Sequence, residues 1–152
     1  MTVKINMTDR NVFVVHGRAI GERDKLVRII RDLGMTPVVL DFAKKKGRSI
    51  YEEFLEQARR CEFAFVLLTP DDRVAASTDT TEELMRARQN VIFEMGWFFG
   101  VLGRERTRLL YKGAIELPSD ITGVMYIKYD RSLDDIRADI RDALEAGGLQ
   151  LR

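Results

Sequence analysis

The chain has very little of the residue types on which disulfide-bonded and zinc-binding proteins depend. One cysteine and one histidine occur among 152 residues, so an internal disulfide is excluded and a structural zinc site is not expected. Cys61 suits a reducing compartment such as the cytoplasm, and its position between a predicted helix and a predicted strand indicates a small buried hydrophobe. No signal peptide is recognisable, and no apolar run approaches the ~20 residues that span a bilayer.

An excess of charge of either sign is also missing. Lys and Arg number 25 and Asp and Glu number 24, which leaves a net charge of +1. No general attraction to nucleic acid or to an anionic membrane is therefore expected. The 45% of hydrophobic and 32% of charged residues are typical of a soluble globular protein of one domain. Residues 1–10 are polar and patternless, which predicts a tail or linker before a domain at residues 11–152.

Strands and helices are predicted to alternate along this domain. Short apolar runs typical of buried parallel strands occur at residues 11–17, 37–40, 63–68, 108–111 and 124–129. Helices are predicted at residues 22–33, 49–60, 80–102 and from 132 onwards, with capping or stop signals at Gly34, Ser49, Glu52, Thr80, Glu83, Ser132, Asp135 and Gly147. The pattern predicts an α/β fold, a flavodoxin-like five-stranded parallel sheet in the order 2-1-3-4-5 with helices on both faces.

In a sheet of this order, ligands bind where the winding reverses, outside the carboxyl ends of the first and third strands. Two loops fall at that place, residues 16–18 after the first strand and residues 69–72 after the third. The helix that follows the third strand starts from the same edge of the sheet. We therefore expect these two loops and the beginning of that helix to form a ligand crevice.

The segment at residues 90–100 is almost wholly apolar and carries a single acid, Glu94. A helix that is apolar nearly all round is a buried one. A carboxylate on it must be hydrogen-bonded, shifted in pKa or open to a cleft, because a buried unpaired charge is strongly destabilising. Another face of the same helix is expected to let a neighbouring element approach closely, the face of Ile92, Gly96, Gly100 and Gly103.

Several activities common on this fold are excluded by missing motifs. The G-x-G-x-x-G of dinucleotide-binding Rossmann sites, the G-x-x-x-x-G-K-[ST] of P-loop enzymes and the G-x-S-x-G of serine hydrolases are all absent. The acids of a phosphoacceptor receiver domain are also missing from the ends of the first and third strands. What remains is a crevice with one carboxylate, cationic and amide side chains and aromatic walls.

One carboxylate is enough to cleave a nicotinamide–ribose bond. Ordinary glycosidases use a second carboxylic acid to protonate the leaving oxygen, whereas nicotinamide is cationic while it is bound to ribose and departs neutral. The carboxylate then holds the ribose hydroxyls and stabilises the oxocarbenium-like charge that develops. Glu94 is the group predicted to do this.

Three segments, residues 12–18, 63–72 and 86–106, carry a resemblance to a known family, and the long run RARQNVIFEMGWFFG at residues 86–100 is the most specific. The chain resembles, over residues 11–147, the bacterial Toll/interleukin-receptor (TIR)-like domains of antiphage effectors in the CBASS and Pycsar defence systems. The resemblance implies a TIR fold, hydrolysis of NAD+ as a substrate and activation by self-assembly, without a metal or a tightly held cofactor. It also implies that Glu94 is catalytic and that a cyclic-nucleotide sensor is a partner domain or subunit.

The other crevice residues have candidate roles beside ordinary structural alternatives. His16, Gly17 and Arg18 are predicted to face the phosphates or ribose of the substrate, although a solvated arginine and a backbone-bonded histidine are alternatives. Asp71 and Asp72 are either an acid pair that faces the ligand or caps of their own loop.

Residues on the long predicted helix leave the same choice open. Asn90, one turn before Glu94, is predicted to orient it, with an exposed amide as the alternative. Trp97 is either a stacking wall or part of the core. Arg86 and Arg88 are either phosphate contacts or members of a solvated face.

The basic loop of Lys44, Lys45, Lys46, Gly47 and Arg48 matches the segment that, in the family resembled, gates the site and bridges neighbouring subunits. A plain solvated run of charge is the alternative. Two other functions fit the whole sequence. One is a nucleoside deoxyribosyltransferase, which shares the flavodoxin-like sheet and uses a glutamate at an anomeric carbon. The other is a non-catalytic scaffold that binds only other TIR domains.

Overall fold

The computed structural model describes residues 10–40, 47, 49–74, 84–87, 89–117 and 126–151. Its strands are β1 (Asn11–Val15), β2 (Thr36–Val39), β3 (Phe63–Leu68), β4 (Asp72–Val74), β5 (Leu84–Arg86), β6 (Thr107–Lys112) and β7 (Tyr126–Tyr129). Its helices are α1 (Ile20–Asp32), α2 (Ile50–Ala58), α3 (Gln89–Leu102) and α4 (Arg137–Ala146), with 3₁₀ turns at Arg104–Arg106 and Leu133–Ile136.

Five of the strands form one parallel sheet in the order β2-β1-β3-β6-β7. Counted along the chain, this is the predicted order 2-1-3-4-5, which is confirmed. Every neighbouring pair in the sheet is parallel, so all five carboxyl ends lie at one edge. The central strand β3 is buried at each of its six positions, as expected for a strand that is covered on both faces.

The two faces of the sheet are covered by different helices. Buried apolar side chains of α1 and α4 pack on one face, around Phe63 and Phe65 of β3. Side chains of α2 and α3 pack on the other face, where Phe54 and Phe98 lie against Phe13 of β1 with ring centroids 5.7 and 4.9 Å from it. Because side chains alternate along each strand, the apolar runs in the sequence supply both cores at once.

Several predicted helix ends agree with the structure. The Ser49 hydroxyl accepts a hydrogen bond of 3.1 Å from the backbone N–H of Glu52, which caps α2. Gly34, with φ of 84°, ends α1 in the left-handed region. Ser132 caps the 3₁₀ turn before α4 through the N–H of Asp134, so α4 itself begins only at Arg137.

The long helix predicted for residues 80–102 is wrong in its first part. Leu84–Arg86 forms β5, which pairs antiparallel with β4, and α3 begins only at Gln89. Cross-strand hydrogen bonds to a partner about ten residues away override the local helix propensity of this stretch, and no local pattern reveals that partner. The capping residues Thr80 and Glu83, together with Arg88, lie outside the described residues.

The glycine face predicted on α3 is present but not used within the described part of the chain. Gly96 and Gly100 are exposed, and a Cβ added to either of them would meet nothing within 4 Å. Among the described residues no element approaches the helix at these two glycines, so the close approach that this face would allow stays a prediction.

A partly buried ionic cluster ties α1 to the carboxyl ends of β6 and β7. Glu22 in the first turn of α1 accepts hydrogen bonds from Lys112 Nζ at 2.7 Å and from the Tyr129 hydroxyl at 2.9 Å. Burial, assisted by the Glu22 carboxylate, raises the pKa of Tyr129 above its ordinary value. None of the described helices has the length and apolar composition needed to cross a bilayer.

Replacement of Gly147 by alanine is expected to destabilise the fold. A Cβ at this position would lie 2.7 Å from Phe63 Cε2 and 3.0 Å from the Glu105 carbonyl oxygen, and overpacking of this kind lowers the free energy of unfolding by about 1–3 kcal/mol. Denaturant unfolding measures the change. Gly21→Ala in α1, where an added Cβ meets nothing within 4 Å, is the control and should leave stability unchanged or raise it. Equal effects of the two substitutions would contradict the packing described here.

Candidate functional site

The loops that follow β1 and β3 meet at the carboxyl edge of the sheet. The parallel register continues to Val15 opposite Val66, so the two strands end side by side. Gly17 is buried, and a Cβ placed on it would overlap the Asp71 carboxylate, whose Cγ would lie 2.8 Å away. The two loops predicted to form the crevice are thus in direct contact, and a glycine is required where they touch.

The Asp71 side chain is held in this contact by its own loop. The Thr69 hydroxyl donates to Asp71 Oδ1 at 2.8 Å, and the Asp71 N–H donates to the Thr69 carbonyl at 2.8 Å. The second carboxylate oxygen, Oδ2, is buried and has no hydrogen-bond partner within the described part of the chain. A buried acceptor without a partner is destabilising, and such groups concentrate at functional sites.

His16 lies in the same contact region. Its Nδ1 donates to the Gly17 carbonyl at 2.9 Å in the tautomer that carries the proton on that nitrogen. Burial lowers the pKa of His16 below its ordinary value, despite the opposing effect of that carbonyl. The ring is therefore expected to be neutral at pH 7. Arg18, the next residue but one, is exposed.

Glu94 lies on the flank of α3, between the side that packs on the sheet and the side that faces solvent. Val91 and Phe98, one turn to each side of it, are fully buried, whereas Glu94 itself is only partly buried. Burial raises the pKa of Glu94 to about 7. The carboxylate makes no hydrogen bond or ion pair with any described residue, so neither a cation nor a donor there offsets its burial.

The direction of α3 bears on the crevice position predicted for Glu94. The helix packs against β1, β3 and β6 and carries the chain from the carboxyl edge of the sheet towards the start of β6. Its first residues therefore lie at the carboxyl edge of the sheet. Glu94 comes five residues after Gln89, roughly 7 Å along the helix axis. The crevice position predicted for this carboxylate fits that geometry.

The other candidates on and beside α3 have different environments. Asn90 is exposed in the first turn of α3. Trp97 is partly buried and packs edge-on against Phe54 and Phe98, with ring centroids 5.4 and 5.0 Å apart, so the aromatic core holds much of its ring. Asp72 begins β4, and its side chain is outside the described part. A role in binding stays a prediction for each of them.

Two of the remaining predicted groups fall mostly outside the described residues. In the basic loop, Gly47 has φ of 79°, which is the left-handed region, and Lys44, Lys45, Lys46 and Arg48 are not described. Arg86 lies in β5 instead of a helix.

The sequence did not predict the ribbon that connects the two halves of the site. The β4–β5 ribbon starts directly after Asp71 and ends at Arg86. Ala87, which follows it, is buried two residues before α3 begins. Backbone pairing of Asp72 with Arg86 closes the ribbon at its base. The crevice loop and the helix that carries Glu94 are therefore joined through a short covalent and hydrogen-bonded link.

A cavity elsewhere in the described part of the structure is not part of this site. It has a volume of 280 Å³ and is lined by Arg108, Tyr126 and Ala143 among others, on the sheet face that α4 covers and α3 does not. Among the described residues, no group of three or more His, Cys, Asp and Glu side chains is arranged to hold a metal ion. Cys61 is buried between α2 and β3, as predicted, and burial raises the pKa of its thiol to about 12.

Comparison with known proteins gives similarities in sequence and in fold. The family described as "CAP12/Pycsar effector protein, TIR domain" matches residues 11–131. The chain is 40% identical to the uncharacterized protein YuaY of Escherichia coli K12 over 121 residues, which is 80% of this chain and 40% of that protein. It is 42% identical to the Pycsar effector protein PaPycTIR of Pseudomonas aeruginosa over 80 residues, which is 51% of this chain and 25% of that protein.

A solved structure shares the fold without close sequence similarity. The 2-deoxyribosyltransferase of Bacillus psychrosaccharolyticus superposes with a TM-score of 0.56 at 14% identity, over 87% of this chain and 90% of that chain. The chain thus spans less than half the length of the two curated relatives, and nearly all of the structural neighbour.

Substitution of Gly17 by alanine is expected to displace the Asp71 carboxylate. Because the new Cβ overlaps that group, Gly17→Ala should lower the free energy of unfolding by about 1–2 kcal/mol. In an Asp71→Ala background the same substitution should have a smaller effect, with a coupling energy of at least about 0.5 kcal/mol. Denaturant unfolding of the four proteins in this cycle measures the coupling, and additive effects would contradict the contact.

The raised pKa of Glu94 predicts a pH dependence of stability. The folded chain keeps this proton up to a pH of about 7, whereas an ordinary glutamate releases it at 4.5. Stability is therefore expected to fall as the pH rises between these values, by roughly 1–3 kcal/mol after allowance for partial exposure. In Glu94→Gln this loss should disappear. Unfolding followed from pH 4 to 8 tests the difference, with Glu145→Gln, an exposed acid of α4, as control.

Proposed function

The chain belongs to the CAP12/Pycsar effector family of TIR domains, which serves antiphage defence systems, and we propose that it is an NAD+ glycohydrolase that uses Glu94. The observation that carries the proposal is the Glu94 carboxylate itself. It is partly buried on α3, burial raises its pKa to about 7, and no described residue neutralises it. A carboxylate in that environment is poised to interact with a positive charge that develops on a bound ligand.

In the proposed reaction, the bond between C1′ of the ribose and the nicotinamide nitrogen breaks heterolytically. Nicotinamide leaves as a neutral base with both electrons of the bond, and the ribose carries an oxocarbenium-like charge. Ionised Glu94 stabilises that charge and accepts hydrogen bonds from the ribose hydroxyls. Water then adds at C1′ and loses a proton, which gives ADP-ribose. The leaving base needs no acid, so a second carboxylate near Glu94 is not required.

The crevice loops are proposed to hold the rest of the dinucleotide. Arg18, an exposed cation in the loop that follows β1, is proposed to meet the phosphates. His16 and Gly17 form the wall next to it, and Asp71 lies against Gly17. Asn90, at the exposed start of α3, is proposed to orient the Glu94 carboxylate or the ribose.

Regulation of the site is proposed to come from assembly. The basic loop at residues 44–48 precedes α2 and is proposed to gate the crevice and to reach a neighbouring copy. Relatives of this chain bear the names Pycsar effector protein and CD-NTase-associated protein, which supports a cyclic-nucleotide sensor domain or subunit as the switch. The free chain is expected to be nearly inactive when dilute and to become active when it is concentrated.

Release of nicotinamide from NAD+ is the direct test. At high protein concentration the chain should cleave NAD+, and Glu94→Gln should lower kcat by at least about a hundredfold, because the carboxylate acts on charge present only in the transition state. Since the ionised form is the active one, kcat/KM should rise with pH through about 7. Glu145→Gln, on the opposite face of the sheet, is the control and should keep full activity.

Other outcomes would point to other functions. Equal NAD+ turnover by the chain and by Glu94→Gln would remove Glu94 from the mechanism. Transfer of deoxyribose between free nucleosides, with NAD+ left intact, would identify a nucleoside deoxyribosyltransferase. Self-association without nicotinamide release under any condition would identify a non-catalytic TIR scaffold.

A further inference from the structure

The 280 Å³ cavity beside α4 lies at the opposite edge of the sheet from the crevice. It is bordered on the sheet side by Arg108, at the beginning of β6, and by Tyr126 and Ile127, at the beginning of β7. The crevice loops instead follow the carboxyl ends of β1 and β3. Because all these strands are parallel, the cavity and the crevice are separate sites.

A buried arginine forms the inner wall of the cavity. Arg108 is 4% exposed and pairs in register with Phe65 of β3, so its side chain lies on the face of the sheet that α4 covers. Its Nη1 donates to the carbonyl oxygens of Arg104 at 2.6 Å and of Thr107 at 3.4 Å. These carbonyls satisfy one nitrogen but do not neutralise the charge. The guanidinium makes no ion pair with any described residue.

Arg108 keeps its charge in spite of this burial. Burial lowers the pKa of Arg108, and the nearby Glu105 carboxylate acts in the opposite direction. A guanidinium loses its proton only above about pH 12, so the cation persists at pH 7. Its Nε and Nη2 make no hydrogen bond within the described part of the chain. The arginine therefore offers free donors to an anionic group, and a carboxylate matches their geometry.

The other wall of the cavity is a single stripe of α4. Its members are Asp139, Asp142, Ala143 and Ala146, whose spacing places them on one side of the helix. The two alanines are small and leave the space open. Asp139 and Asp142 are exposed, and their side chains make no hydrogen bond or ion pair with a described residue. Two acids one turn apart repel each other, and a cation between them removes that repulsion.

We propose that this cavity binds a small molecule that carries both a carboxylate and cationic groups, with the basic α-amino acids as the best-matched class. The ligand carboxylate pairs with Arg108, and the ligand cations pair with Asp139 and Asp142. The inference goes beyond the proposed function, because it depends neither on NAD+ cleavage nor on self-association.

Charge and volume together select this class of ligand. One arginine and two aspartates line the cavity, so a molecule with one negative and two positive groups leaves none of these charges unpaired. A simple anion would be repelled by the two acids, and a diamine would leave Arg108 without a partner. The volume of 280 Å³ is near the lower limit of about 300 Å³ for small-molecule sites, which suits an amino acid and is too small for a dinucleotide.

Calorimetric titration with matched probes at low salt tests the charge requirement. Free L-lysine carries all three groups, 6-aminohexanoate lacks the α-ammonium group, and cadaverine lacks the carboxylate. L-Lysine is expected to bind with a dissociation constant of roughly 0.1–1 mM. Each of the two truncated probes should bind at least about fivefold more weakly, because each leaves one charge of the cavity unpaired. L-Glutamate, which has the opposite charge balance, should not bind.

Substitutions in α4 test the location. Ala146→Leu should abolish L-lysine binding, because the larger side chain extends into the cavity. Ala138→Leu is the matched control, since Ala138 is exposed on the same helix and does not line the cavity. Asp142→Asn should raise the dissociation constant of L-lysine at least about fivefold, whereas Glu145→Gln, another exposed acid of α4, should leave it unchanged. Circular dichroism and thermal melting verify that each variant folds.

A substitution of the arginine tests its assigned partner. Arg108→Lys keeps the positive charge but loses the forked pair of donors that a carboxylate prefers. It should weaken the binding of L-lysine and of 6-aminohexanoate, which carry a carboxylate, and leave that of cadaverine unchanged. The comparison among ligands separates a direct contact from a general loss of structure, which would weaken all three.

The outcomes decide the inference independently of the enzymatic proposal. Saturable L-lysine binding that Ala146→Leu removes and Ala138→Leu preserves would support it. No saturable binding of L-lysine or L-arginine up to about 10 mM, equal binding by Ala146→Leu and the original chain, or equal affinity for L-lysine and cadaverine would each overturn it. Nicotinamide release from NAD+ is measured separately, so either proposal can fail while the other stands.

Discussion

Parallel pairing of β1 with β3 is the constraint on which the rest of this molecule depends. The register from Val12 opposite Phe63 to Val15 opposite Val66 decides where the two strands end. It places Gly17 against Asp71, a contact that only a residue without a Cβ permits. The β4–β5 ribbon begins one residue later and delivers the chain to the start of α3. A single register thus determines where the loops that follow these two strands meet.

The helices on the two faces of the sheet are held by different kinds of interaction. On the α1 and α4 side, ion pairs join the elements, among them Lys112 with Glu22 at 2.7 Å, Lys25 with Asp134 at 3.0 Å and Arg137 with Asp32 at 3.3 Å. On the α2 and α3 side, aromatic rings pack edge to face and the outer surface of α3 has no charge. The uncompensated Glu94 carboxylate is on this second side. Departures from the usual patterns of burial and charge pairing are common at functional sites. In this protein the uncharged outer surface of α3 and the unpaired Glu94 carboxylate are such departures, and both lie on the side of α2 and α3.

The sequence was a good guide to the parallel sheet because each strand carries its own signal. Runs such as residues 63–68 are apolar at every position, which is typical of a strand covered on both faces, and five strands that alternate with helices in one domain favour the flavodoxin-like order. The lone acid in an apolar helix likewise singled out Glu94, for which a hydrogen bond, a shifted pKa or an open cleft was expected, and the structure shows a partly buried carboxylate of raised pKa. The contact of Gly17 with Asp71 was predictable only as the meeting of two loops, because the choice of glycine depends on a side chain more than fifty residues away.

The sequence by itself determined the features whose signal lies in their own residues. These are the five strands of the parallel sheet and their order, the ends of α1 and α2, and the chemical identity of the acid on α3. What only the tertiary structure decided is every feature that depends on a partner distant in sequence. Residues 84–86 became a strand because residues 72–74 pair with them, and the glycines of α3 face outward because no element described in this chain covers them. The physical reason is the range of the interactions. Hydrophobic periodicity depends on residues that are neighbours in the sequence. Backbone pairing between strands and contacts between side chains depend on which distant segments the fold brings together.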